Sequence, residues 1–124
     1  MKILATIAAL AVLGATGAAY AGTTAGDAAR GRTVFVRCAA CHDVSTGANR
    51  VGPSLKGVVG RRSAAVGGFA FSPALKARNV TWTRASLDGF LAAPTRYAPG
   101  TRMTVAVPNA KDRADLIAYL ATLR

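Results

Sequence analysis

Cys38-Ala39-Ala40-Cys41-His42 is the segment whose residue types and spacing carry chemistry. In a Cys-x-x-Cys-His string, two thiols bond to the edge of one porphyrin and the adjacent imidazole becomes an axial ligand of its iron. Two intervening residues let both sulfurs reach one face of a flat macrocycle, and the neighbouring histidine has little freedom to point elsewhere. The competing readings are a dithiol redox site, a structural disulfide and half of a zinc site. A thioredoxin-like dithiol asks for a βαβ context, and the chain carries no such pattern. Zinc asks for four ligands, yet these are the only cysteines and the only histidine in the sequence. The motif therefore predicts one covalently attached haem c.

The start of the chain sets the compartment. Lys2 precedes an apolar run over residues 3–13 broken only by Thr6, and small residues lead to Ala19-Tyr20-Ala21. That is the charged, apolar and A-x-A order of a secretory signal peptide. Residues 1–21 are expected to be the signal and residues 22–124 the functional domain, exported to the periplasm. The alternative, a retained anchor, asks for a longer apolar run. The remaining 103 residues are enough for one small domain with a limited core. An apolar haem at its centre would supply much of that core, so folding and cofactor insertion should be coupled.

Helical punctuation recurs along residues 22–124, and alternating strand patterns do not. Asp27 can cap a helix reaching about Arg37, with Ala28, Gly31 and Phe35 on the face that Cys38 continues. Gly31 weakens that helix, which implies close backbone approach by another element. Residues 47–60 read as a loop whose sharpest turn is Gly52-Pro53. Ser72 and Pro73 open a short helix that Asn79 closes. Thr83 caps a third, carrying Leu87, Phe90 and Leu91 and stopped by Pro94. Residues 97–108 are irregular. Asn109 begins a last helix with Asp112 and Asp115 in its first turns and Leu116, Leu120 and Leu123 in an i, i+4, i+7 stripe beside Ile117. The expected architecture is all-α.

The ordered motifs resemble those of class I cytochromes c, the group of mitochondrial cytochrome c and its bacterial periplasmic relatives. They run from Gly26-Asp27-Ala28 with Gly31 and Phe35, through the haem motif, to Gly52-Pro53-Ser54-Leu55 and Gly60-Arg61. Asn79-Val80-Thr81-Trp82, Pro99-Gly100-Thr101-Arg102-Met103 and Asp115-Leu116-Ile117-Ala118-Tyr119-Leu120 follow. The resemblance implies a small cytochrome c fold, with helices wrapped around one haem and the first and last helices interlocked through Phe35, Leu116 and Tyr119. It implies a soluble, monomeric one-electron carrier rather than an enzyme.

The same resemblance assigns the site. His42 and Met103 are the implied iron ligands; Met103 is the only thioether left once Met1 departs with the signal. Pro53 corresponds to a proline whose carbonyl orients the proximal histidine. Arg61, Trp82 and Thr101 match positions that bond or neutralise a haem propionate. Three residues depart from the pattern: Phe71 and Phe90 stand where relatives have tyrosines, and Leu75 where mitochondrial relatives often have asparagine. Each change removes a hydrogen-bonding group.

Charge bears on partners. Residues 22–124 contain fifteen basic side chains against five aspartates and no glutamate, a formal +10. Such a field steers encounter with acidic surfaces, while nucleic acid is a poor partner for an exported haem protein. Arg96 and Arg102 flank the approach to Met103 and are expected to form a docking rim, together with Lys56, Lys76 and Lys111. The implied circuit runs from a quinol-oxidising cytochrome bc complex to a terminal oxidase or photosynthetic reaction centre, through transient contact with membrane complexes. The alternatives are a dedicated acceptor for one periplasmic dehydrogenase and a haem ligand sensor or enzyme; the last needs an open sixth site.

Overall fold

The computed structural model describes residues 25–124, so the expected signal segment lies outside the described residues. Five helices follow in order: α1 (Ala28–Phe35), α2 (Pro73–Arg78), α3 (Arg84–Ala92), α4 (Pro94–Tyr97) and α5 (Ala110–Leu120). Among the described residues the only strand-like pairing is one antiparallel bridge between Arg62 and Thr81. No described helix is long and apolar enough to cross a membrane.

Four helices begin where a side chain caps them. Asp27, Ser72, Thr83 and Asn109 each accept the backbone N–H three residues on, from Arg30, Leu75, Ser86 and Asp112, satisfying a donor that the first turn leaves without a partner. Thr83 and Ser86 form a reciprocal capping box. Asn79 ends α2 in the left-handed conformation, at φ 46°.

Three expectations are corrected. The first helix ends at Phe35 instead of Arg37, because Val36, Arg37 and Cys38 switch to bonds with carbonyls three residues back. These tighter turns deliver Cys38 and then His42, whose N–H bonds Cys38 O at 3.0 Å. Pro94 stops α3 as expected but also opens α4 at its first position. The residue before a proline is driven out of the helical region; Ala93 accordingly lies at φ −158°, ψ 81°, and the chain restarts on a new axis. Leu123 falls beyond α5, half-buried, while Leu116 and Leu120 are buried within it.

The helices at the two ends of the domain pack against each other through bare backbone. A Cβ on Gly31 would overlap the Asp115 carbonyl and sit 2.9 Å from Tyr119 Cβ. Gly26 lies equally close to the Ala114 carbonyl. Phe35 and Tyr119 meet beside this contact with ring centroids 5.5 Å apart. Asp115, 0 % exposed, locks the junction. It accepts from Asp27 N–H at 2.8 Å, Arg30 Nε at 3.0 Å and Lys111 Nζ at 2.8 and 2.9 Å. The Lys111 side chain, 65 % exposed, makes its ion pair one turn further along α5.

Bonds from Lys111 and from the Asp27 N–H hold the Asp115 carboxyl below its ordinary value; burial opposes them, and the charges of Lys111 and Arg30 assist. Asp43 is also depressed, to about 2: desolvation pushes it up, but bonds from Thr46, Ser45 and Gly47 win. Groups with lowered folded-state values contribute stability above the ordinary value of 3.8 that is lost as pH falls through the folded values. Urea midpoints should therefore be flat above about pH 5 and fall steadily below it. Asp115→Asn should lower the neutral midpoint and flatten the acid slope; a parent-like slope would disprove the assignment. Gly31→Ala should cost about 1–3 kcal/mol by overpacking, lowering Tm by about 4–8 °C per kcal/mol.

Candidate functional site

The core residues surround a cavity of about 430 Å³ rather than filling the centre of the domain. Phe35, Val58, Leu87, Leu91, Leu116 and Leu120 are among its apolar walls. All eight expected site residues, Cys38, Cys41, His42, Pro53, Arg61, Trp82, Thr101 and Met103, line this one space. Sequence separations of up to 65 residues are thereby brought to a single site.

The end of α1 and the turns after it supply the attachment segment. Cys38 and Cys41 are both half-buried and face no disulfide partner. Burial pushes the Cys38 thiol up; the Arg37 charge opposes this and Cys41 adds to it. His42 Nδ1 lies 2.7 Å from Pro53 O. A carbonyl can only accept, so Nδ1 carries the proton and the lone pair is left on Nε2. Burial holds His42 below its ordinary value, against the pull of the Pro53 bond, which favours the neutral imidazole a metal requires. Gly52 allows this geometry: a Cβ there would overlap His42 Cε1 and approach Nδ1 to 2.7 Å. The sequence marked Gly52 as half of a turn; its role is to let backbone lie against the ring.

Arg61 spends two donors on backbone, with Nη2 to Ser54 O at 2.8 Å and Nη1 to Lys56 O at 3.1 Å. It therefore buttresses the loop carrying Pro53 while also lining the cavity. Burial lowers its value. Trp82 is buried, its ring 5.1 Å from Phe90 and 6.2 Å from Tyr97. Thr101 is buried and accepts weakly from Met103 N–H at 3.4 Å. Phe71 and Phe90 are buried and Leu75 half-buried, all on the cavity wall. The three departures noted in sequence therefore all lie on the cavity lining itself.

Sequence reasoning missed several residues. Exposed Arg37 and Arg62 line the cavity alongside Arg102, whereas Arg96 does not. Val51 and Val105, 78 % and 53 % exposed, also belong to the lining. Their exposure could not be read from a pattern, because both lie outside regular elements. Among the described residues no three His, Cys, Asp or Glu side chains gather as a metal cluster. What the site does offer is two thiols and a neutral imidazole from one segment, a thioether from another, apolar walls and several arginines. That donor set fits a flat apolar macrocycle bearing carboxylates.

Comparison with known proteins agrees with the geometry. The cytochrome c family profile matches residues 28–124. Cytochrome c2 of Rhodoblastus acidophilus is 44 % identical over 102 residues, covering 81 % of this chain and 95 % of that protein. Cytochrome c of Euglena viridis is 46 % identical over 101 residues, covering 80 % and 99 %. The solved structure of cytochrome cH from Methylobacterium extorquens superposes with a TM-score of 0.74 at 45 % identity, covering 78 % of this chain and 99 % of that one. A cavity walled by the Cys-x-x-Cys-His segment, in a helical fold that these proteins share, places the chain in the class I cytochromes c, one-electron carriers with a single covalently attached haem c.

Proposed function

We propose that the domain is an exported, mobile electron carrier in which Cys38 and Cys41 form the two thioether bonds and His42 and Met103 ligate the iron. When bound, the haem supplies a ferric/ferrous couple, and Met/His ligation suits it to outer-sphere electron transfer. The observation that carries this reading is the presence of His42 and Met103, 61 residues apart in sequence, on the walls of one cavity. Pro53 O fixes the His42 tautomer and raises its basicity. Trp82, Thr101 and the donors of Arg61 not engaged with backbone are proposed to hold propionates. Residues 1–21 act as a cleaved signal and the mature protein works in the periplasm. With both axial positions filled by the chain, the protein transfers electrons and performs no substrate chemistry of its own.

The partners proposed are acidic redox proteins, passing electrons from a cytochrome bc complex to an oxidase or reaction centre. A carrier must dissociate after each transfer, so its interface should be small and wet, with charge supplying encounter rate more than affinity. Arg37, Arg62 and Arg102 at the cavity, with exposed Arg96 nearby in sequence, give that rim its charge.

Intact mass should begin at Gly22 and include one haem that survives acid-acetone extraction; haem lost to the organic layer would overturn covalent attachment. Met103→Ala should lose the far-red sulfur-to-iron band of the ferric form, bind added imidazole or carbon monoxide, and fall in potential by on the order of 100 mV, within the roughly 0.8 V that axial ligands span. An unchanged band would mean that another residue holds the sixth position.

Electron-transfer rates with an acidic partner should fall steeply as the Debye length shrinks from about 30 Å at 0.01 M to about 10 Å at 0.1 M salt. Arg96→Glu and Arg102→Glu should lower the low-salt rate and flatten its salt dependence, leaving the spectrum intact. Comparable rates with donor and acceptor complexes support the mobile carrier; a response to a single dehydrogenase would replace it with a dedicated acceptor.

A further inference from the structure

Asn49 does not line the cavity, yet it holds the far side of the peptide unit that orients His42. The Pro53–Ser54 peptide has two polar ends. Its carbonyl accepts from His42 Nδ1 at 2.7 Å, and its N–H donates to Asn49 Oδ1 at 3.0 Å. The other end of the Asn49 amide, Nδ2, donates to Gly67 O at 2.9 Å. A backbone N–H and a backbone carbonyl leave only one orientation of that amide satisfied, so Oδ1 must face Ser54. The neighbouring peptide is fixed as well, since Ser54 O accepts from Arg61 Nη2 at 2.8 Å. The unit can neither rotate nor recede without breaking bonds at both ends.

Hydrogen bonds in a chain polarise one another. Donation from Ser54 N–H to Asn49 draws electron density through the peptide onto Pro53 O, which makes that oxygen a stronger acceptor. A stronger acceptor pulls the Nδ1 proton, and the imidazole becomes a better electron donor through Nε2. We propose that Asn49 is a positioning residue that tunes His42 through the Pro53–Ser54 peptide, holding the reduction potential below the value the same site would have without it. This rests on His42 being the axial ligand. The same side chain ties the segment after Ser63 to the proximal loop through Gly67, so structural and tuning roles must be separated by experiment.

Two variants separate them. Asn49→Leu removes both bonds. Asn49→Asp keeps an oxygen acceptor for Ser54 N–H, now a stronger one, and loses the donor to Gly67 O. A role confined to bridging the loops predicts the same change in both, whereas tuning predicts opposite changes. The readouts are the midpoint potential and the His42 Nδ1 proton resonance of the ferrous, ¹⁵N-labelled holoprotein. Asn49→Leu should move the Nδ1 proton upfield and shift the ferric-to-ferrous balance toward ferrous iron by about threefold, about 28 mV at 59 mV per tenfold. Asn49→Asp should move both the other way, and the potential shift should persist at about 1 M salt, where the Debye length is about 3 Å and through-space charge is screened.

Shifts of one sign in both variants, or unmoved Nδ1 and potential beside a lowered Tm, would overturn the proposal. If the Leu variant fails to mature, the Asp variant decides alone: a Nδ1 proton that does not move downfield overturns tuning. A wild-type holoprotein without a haem-shifted His42 Nδ1 proton would instead sink the ligand assignment beneath it.

Discussion

The need to wall a large flat cofactor within a hundred-residue domain is the constraint from which the rest of the structure follows. The walls enclose about 430 Å³. Phe35, Leu87, Leu91, Leu116 and Leu120 are accordingly arranged as a lining. The covalently attached haem c of the family is the packing partner that such a lining suits on its inner side.

With so little interior of its own, the polypeptide takes its rigidity from contacts outside the cavity. The strongest lies where α1 meets α5. Two glycines let the backbones touch, and Asp115 gathers four donor contacts from both helices. Buried ion groups of this kind are weak evidence for net stability, because desolvation offsets their attraction. Their effect is to specify one register. Any slide of α5 along α1 would strand a buried carboxylate and drive a carbonyl into a Cβ. That register matters for the site, since α1 leads directly into Cys38 and α5 supplies Leu116 and Leu120 to the opposite wall.

How much of this the sequence disclosed depends on the range of each interaction. Asp27, Ser72, Thr83 and Asn109 are legible because a cap acts within three residues, and all four sit where their helices start. Gly31 is legible for a related reason: a glycine inside a helix needs a compensating contact, and that contact is the Asp115 carbonyl. Pro94 was half legible. Its power to stop α3 is local, but its service as the first residue of α4 depends on the turn at Ala93. Cys38, Cys41 and His42 were legible as a motif and the other five site residues through family resemblance, and all eight line one cavity. Asn49 and the buttressing bonds of Arg61 were not legible, because no periodicity or motif encodes a side chain's bond to loop backbone. The Lys111–Asp115 pair stands at i and i+4 on α5, a spacing that the sequence does show.

The departures from the family pattern gain a context from these bonds. Phe71, Leu75 and Phe90 stand on the cavity wall at positions where the resemblance implies hydrogen-bonding groups. Loss of a donor to a methionine sulfur makes that sulfur a better ligand for ferric iron and lowers the potential. A drier wall disfavours the ferric charge and raises it. The two effects oppose each other and involve the same residues, so neither can be adjusted alone. The loop through residues 49–61 is free of that conflict. There Asn49, Ser54, Pro53 and Arg61 form a connected set of bonds ending on His42, so on the proposed reading Asn49→Leu and Asn49→Asp act on the imidazole with opposite signs. On the proposed reading, that loop acts on the iron by way of the histidine alone, which keeps its effect separate from the polarity of the opposite wall.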